Sequence, residues 1–197
     1  MAFKQFGTSY WLATMNKQPR SHLLRLIQSP RLNLFAATTD LIEKDLLSRE
    51  TLAEALGVSV PESWPPDLYG PQAKQLALAQ LGDPAEQGWS FWYLSTRDDS
   101  SQLAGICGFK GRPDMSGSVE IGYSILACFQ RQGYATEAVQ RLVNWAFSHH
   151  NVSEVSAETL PHLSQSIGVL EKNGFKRAGM GSEAGVIRYI IKRSSLN

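Results

Sequence analysis

The sequence predicts a single α/β domain built on a mixed, mostly antiparallel sheet flanked by helices, and three observations carry the prediction. Ser118 to Phe147 passes from a period-two strand pattern, through a turn holding Gly133, into a period-3.6 helix pattern. Two β-rich runs, Trp89 to Thr96 and Leu103 to Phe109, flank the turn residues Arg97 to Ser101 and read as a hairpin. After Phe147 the order strand, helix, strand follows without an internal repeat, which implies helices on the faces of one sheet. A chain of 197 residues buries one good core, and its length gives no reason to divide it.

Taken in order, the chain begins with a basic N-terminal extension over 1–29, and the domain is expected over 30–197. Met1 to Thr39 holds Lys4, Lys17, Arg20, Arg25 and Arg31 and no acidic residue. One short helix is expected near Ser21 to Gln28; an organelle-targeting segment fits less well, since the stretch lacks serine richness and a long apolar core. Arg31 to Thr38 reads as an opening strand, and Thr38-Thr39-Asp40 as an N-cap cluster for a helix or helix pair over Leu41 to Leu56, ended by Gly57. Val60 to Asp67 must be irregular, because three prolines in six residues forbid a helix interior and a sheet centre alike. A further helix over Gln72 to Leu81 closes at Gly82-Asp83-Pro84.

Beyond the hairpin, Val119, Ile121, Tyr123 and Ile125 alternate with Glu120, Gly122 and Ser124 along the central strand. Ala135, Ala138, Val139, Leu142, Val143 and Ala146 then form one apolar helical stripe. Glu154 to Thr159 is expected as a strand, Ser164 to Lys172 as a helix closed by Asn173-Gly174, and Val186 to Lys192 as a last strand.

With 43% hydrophobic and 19% charged residues and a net charge of +1, the chain is ordinary globular material, which argues against a general nucleic-acid or membrane partner. The basic residues of the N-terminus are not interleaved with stacking aromatics, a second reason to expect no nucleic acid. Cys107 and Cys128 make neither a disulfide framework nor a metal-binding cluster, so no metal and a reducing, cytoplasmic setting are expected. No apolar run approaches the ~20 residues that span a bilayer.

The chemistry is expected at Gln130 to Ala135. A strand that turns into a helix there delivers free N–H groups at the positive end of the helix dipole, which suits phosphate. The turn has neither the Lys-Ser/Thr of a nucleoside triphosphate loop nor the three glycines of a dinucleotide fingerprint, so another pyrophosphate ligand is needed.

Gln-x-x-Gly-x-Ala, following Val119 to Tyr123 and preceding Thr136-Glu137-Ala138-Val139, resembles the acyl-CoA signature of the GNAT superfamily of N-acetyltransferases. Thr159-Leu160-Pro161 leading into Ser166 to Phe175 is similar to the downstream block of that superfamily at its usual distance. In pattern the resemblance lies nearest the branch typified by ribosomal-protein alanine acetyltransferases. It covers roughly Arg31 to Lys192 in outline and is specific over Ser118 to Phe175.

The resemblance implies acetyl-CoA as cosubstrate, with its pyrophosphate at Arg131, Gln132, Gly133, Tyr134, Ala135 and Thr136. Arg131 is alternatively a solvated turn residue. The backbone of Ile125, Leu126 and Ala127 would pair with the pantetheine arm and polarise the thioester carbonyl, with Ser166 nearby. Glu120 becomes the candidate base in an acceptor cleft; the plainer reading is a structural glutamate bonded to a neighbouring strand. Trp64 either rims that cleft or packs its loop down.

The chain departs from the family pattern at Leu163, where relatives usually carry an asparagine, and at Leu170, where many carry a thiolate-protonating tyrosine. Ser166, Tyr123 and water are then the candidates for the general acid. The implied function is acetyl transfer from acetyl-CoA to a primary amine, on a small molecule or a protein N-terminus, by direct attack in a ternary complex. The two departures keep a non-catalytic acyl-CoA-binding regulatory module open as the alternative. The expected partners are acetyl-CoA and an amine acceptor, and a homodimer is left open.

Overall fold

The computed structural model describes residues 25–195. An eight-stranded sheet runs through it in the order β1-β2-β3-β4-β5-β6-β8-β7. The strands are β1 (Leu26–Gln28), β2 (Leu32–Ala36), β3 (Phe91–Thr96), β4 (Leu103–Phe109), β5 (Ser118–Ile125), β6 (Glu154–Thr159), β7 (Lys176–Met180) and β8 (Ile187–Lys192). The helices are α1 (Thr39–Leu47), α2 (Arg49–Leu56), α3 (Pro71–Leu81), α4 (Tyr134–Phe147) and α5 (Ser164–Lys172).

Every neighbouring pair is antiparallel except β5 and β6. Those two are joined through α4, and a parallel pair needs a crossover of this kind. The apolar stripe of α4, Ala138 to Phe147, packs with Leu34, Trp92, Leu94, Val119 and Ile121 on one face of the sheet. On the other face α1, α2 and α3 bury Leu41, Ile42, Leu52, Ala77 and Leu81 against Tyr93 and Leu103. Thr38 caps α1, its hydroxyl oxygen accepting from Leu41 N–H, and Gly57 ends α2 at φ +66°, as their residue types lead one to expect.

Two strands depart from the expectations. Of the expected Ser21 to Gln28 helix, Arg25 to Gln28 are described and form no helix: Leu26–Gln28 is instead β1, paired with Asn33 to Phe35, and Ser21 to Leu24 lie outside the described residues. Tertiary pairing overrides local propensity here, and the sheet thus starts inside the stretch expected as extension. The other addition is β7, an edge strand whose residues are all exposed.

Trp64 packs its loop down. It is buried, and its indole N–H donates to Asp45 Oδ1 at 2.8 Å. The same carboxylate receives the hydroxyls of Tyr69 and Tyr93, each at 3.1 Å, and the Lys74 ammonium at 2.7 Å. Burial foremost pushes both phenols well above their ordinary range, so they stay donors to Asp45. One buried carboxylate thereby ties α1, the proline-rich loop, α3 and β3 together.

Candidate active site

Lys110 N–H donates to Glu120 O, and Leu126 N–H to Ala104 O. The even-numbered residues of β5 therefore turn their backbone groups toward β4, and Ile121, Tyr123 and Ile125 turn theirs toward β6. Pairing of β5 with β6 stops at Glu120↔Ser156. Beyond that rung the strands part, and a cleft of about 670 Å³ opens between β5, the turn into α4, and α5. Tyr123 and Ile125 thus present backbone groups to the side that β6 has left, although Gln130 Nε2 already reaches the Ile125 carbonyl at 3.0 Å.

The far end of the cleft is the turn into α4. Gly133 is the N-cap at φ +85°, a conformation that glycine adopts without strain, and no side chain caps the first turn. The N–H groups of Tyr134, Ala135 and Thr136 are left for an anion, at the end where the helix dipole is positive. Arg131 also has a positive φ, +61°, and lines the cleft. Asn173 Nδ2 donates to Thr136 O at 3.2 Å, which pins α5 to the start of α4 and sets the width of the cleft.

Of the residues picked out from the sequence, Ile125, Arg131, Gly133, Tyr134, Ala135, Thr136 and Ser166 line this cleft together. Leu126, Ala127 and Gln132 do not. Leu126 is buried and its N–H is taken by Ala104, so no arm can pair with that group. Ala127 lies in the short 3-10 turn after β5, and the Gln132 side chain folds back to Cys128 O at 2.9 Å.

Glu120 stands at the last paired rung, outside the cleft lining, on the sheet face opposite α4. It is partly exposed and makes an ion pair with Lys110. Next along that face is Gly122, exposed, where a Cβ would meet nothing within 4 Å. The sheet surface is therefore open from Glu120 to Ser124, which does line the cleft. Glu158, two residues beyond Ser156 on β6, is held below the usual carboxylate range by the Ser182 hydroxyl and N–H and by the charges of Lys110 and Arg188, against a smaller opposing effect of burial.

Tyr123 and Ser166 meet across the cleft. The phenol donates to Ser166 O at 3.0 Å and lies 3.0 Å from Ser166 Oγ. Burial pushes the Tyr123 hydroxyl up to about 12, with the Ser166 contact working the other way. Leu170, where the resemblance led one to look for a tyrosine, is buried.

Sequence reasoning missed two partners of these groups, Lys110 beside Glu120 and Arg31 beside the turn. Arg31 Nη1 donates to Gln132 O at 2.8 Å and Nε to Glu137 at 2.7 Å, across more than a hundred positions of sequence, a separation over which no local signal operates. Among the described residues no group of three or more His, Cys, Asp or Glu side chains is placed to hold a metal, and no helix is long and apolar enough to cross a membrane.

Residues 43–176 match the acetyltransferase (GNAT) domain family. The uncharacterized N-acetyltransferase YjdG of Bacillus subtilis is 28% identical over 150 residues, 76% of this chain and 89% of the relative. Among solved structures, RimL, a ribosomal L7/L12 alpha-N-protein acetyltransferase, in complex with coenzyme A, is similar with a TM-score of 0.61 at 17% identity, over 85% of this chain and 98% of that one. The microcin C7 self-immunity acetyltransferase in complex with acetyl-CoA and AMP has a TM-score of 0.58 at 14% identity, over 83% and 93% of the two chains.

Proposed function

Because the chain belongs to the GNAT family of N-acetyltransferases, we propose that it transfers an acetyl group from acetyl-CoA to a primary amine by direct attack in a ternary complex. The observation that carries this reading is one cleft with two kinds of unspent backbone group, the parted edge of β5 apart from the Ile125 carbonyl, and the uncapped start of α4. Such a cleft fits an elongated ligand with an amide-bearing arm at one end and a pyrophosphate at the other. Solved relatives of this fold are described in complex with coenzyme A and with acetyl-CoA, in keeping with that fit.

In this reading the first-turn N–H groups from Tyr134 to Thr136 hold the pyrophosphate, and the backbone of Tyr123 and Ile125 holds the arm. A thioester carbonyl lying against β5 gains stabilisation of its developing oxyanion from the N–H groups there. Glu120 takes the proton of the incoming ammonium, directly or through one water, over the open surface at Gly122. To do so it exchanges the Lys110 ammonium for that of the acceptor.

The leaving thiolate needs a proton, and in this reading Tyr123, whose hydroxyl reaches Ser166 across the cleft, gives it. A hydroxyl pushed up to about 12 stays protonated across the neutral range, so its loss as a donor does not set the basic limb of the rate profile. Tyr123→Phe is expected to lower kcat by ~100-fold while leaving KM for acetyl-CoA little changed. Wild-type kcat should hold its plateau to the highest pH at which the fold survives. A phenylalanine variant with full kcat would hand the proton to Ser166 or water.

The phosphate end is tested at Gly133. A valine there must take φ +85° and crowd Arg31 Nη2, which lies 3.2 Å from the would-be Cβ. Calorimetry of Gly133→Val is expected to show CoA binding weakened by at least ~10-fold in a folded protein. Unchanged affinity would remove the turn from the CoA site.

A further inference from the structure

Arg31 lies on the approach to β2, before the residues that match the family, and nothing in the motifs assigns it a role. Its backbone N–H and Nε donate to the two Glu137 oxygens at 2.8 and 2.7 Å, and Ser29, itself buried, adds a third donor at 2.7 Å. Nη1 donates to Gln132 O at 2.8 Å, and the guanidinium lies over the Tyr134 ring, 4.8 Å from its centroid. Burial works to raise the Glu137 carboxyl, but the bonds from Ser29 and Arg31 and the Arg31 charge outweigh it and leave it below its ordinary range.

Glu137 sits in the first turn of α4, where a lone carboxylate would repel a phosphate at the same helix end. Arg31 cancels that charge. Among the described residues its Nη2 makes no hydrogen bond, and it lies 3.2 Å from where a Cβ on Gly133 would stand, beside the cleft and not in its lining. A guanidinium fixed on three sides loses little further freedom on binding an anion, and its remaining donors suit a phosphate oxygen.

We infer that Arg31 is a donor-binding residue of this chain: Glu137 holds it in place, and it binds the phosphate charge of the acyl-CoA through Nη2. The inference rests on the reading that the turn into α4 takes that pyrophosphate.

The test titrates the full-length protein with CoA and, separately, with pantetheine, which carries the arm and no phosphate. Arg31→Met is expected to weaken CoA by about 10- to 100-fold, the usual worth of a charge-assisted bond, and to leave pantetheine within about twofold. Arg31→Lys keeps the charge but not the fork, so it should fall between, and it decides the question if the methionine variant does not fold. Gly133→Val is titrated alongside. If that variant loses CoA affinity while Arg31→Met keeps it, the inference is overturned and the turn stands. If Gly133→Val also keeps it, the pyrophosphate reading falls and takes the inference with it. An equal loss of CoA and pantetheine in Arg31→Met would show a distorted cleft and would overturn the role assigned to Nη2.

Discussion

Asp45→Asn is expected to lower the free energy of unfolding by about 3–5 kcal/mol, because it leaves the Lys74 ammonium buried without its counter-charge. The Lys74 and Asp45 side chains are 7% and 0% exposed, so water cannot take over that role. The variant also spoils the geometry of the bonds from Trp64, Tyr69 and Tyr93 to the same oxygens. Urea denaturation of the full chain measures the loss, and an unchanged m-value would place it in the folded state. The double variant Asp45→Asn with Lys74→Met should recover much of it, since removing both charges avoids the unpaired one. A single-variant loss below about 1 kcal/mol would mean that the pair is solvated in solution.

Glu120→Gln is expected to lower turnover by ~100-fold or more while CoA affinity persists, since the amide keeps the size of the side chain and cannot accept the proton. Glu120 stands outside the cleft lining, so binding and chemistry separate cleanly at this position. Near-normal turnover in Glu120→Gln would leave a water chain or an already neutral amine as the proton route, and Glu120 would then be a strand residue tied to Lys110.

The stretch from Ser118 to Phe147 was legible because its hydrophobic period changes from 2 to 3.6 at a single turn, and both halves bury one face. The α1–α2 pair was legible from its caps, Thr38 and Gly57. Two edge strands were not. Lys176–Met180 buries no residue and so shows no alternation, and Leu26–Gln28 is too short to show one. They exist because a neighbour offers unpaired backbone groups, which leaves no mark on their own residues.

The candidate site divides the same way. The turn at Gly133 could be read because helix-end chemistry is local to the sequence. The side to which Leu126 turns its N–H could not be read, because it depends on the register with β4, set by Leu126 N–H to Ala104 O. The place of Arg31 and of Lys110 beside the candidate groups depends on which strands lie side by side, something no run of residues near Gly133 or Glu120 encodes.

Acetyl transfer to an amine is tested by incubating the full chain with acetyl-CoA and a panel of primary amines and N-terminal peptides. Free thiol and acetylated product are followed together. Thiol release that depends on the amine and is matched mole for mole by acetylated acceptor is the expected result. Firm CoA binding with no acetylated product from any amine would contradict it, and would leave the chain as an acyl-CoA-binding module of the same fold.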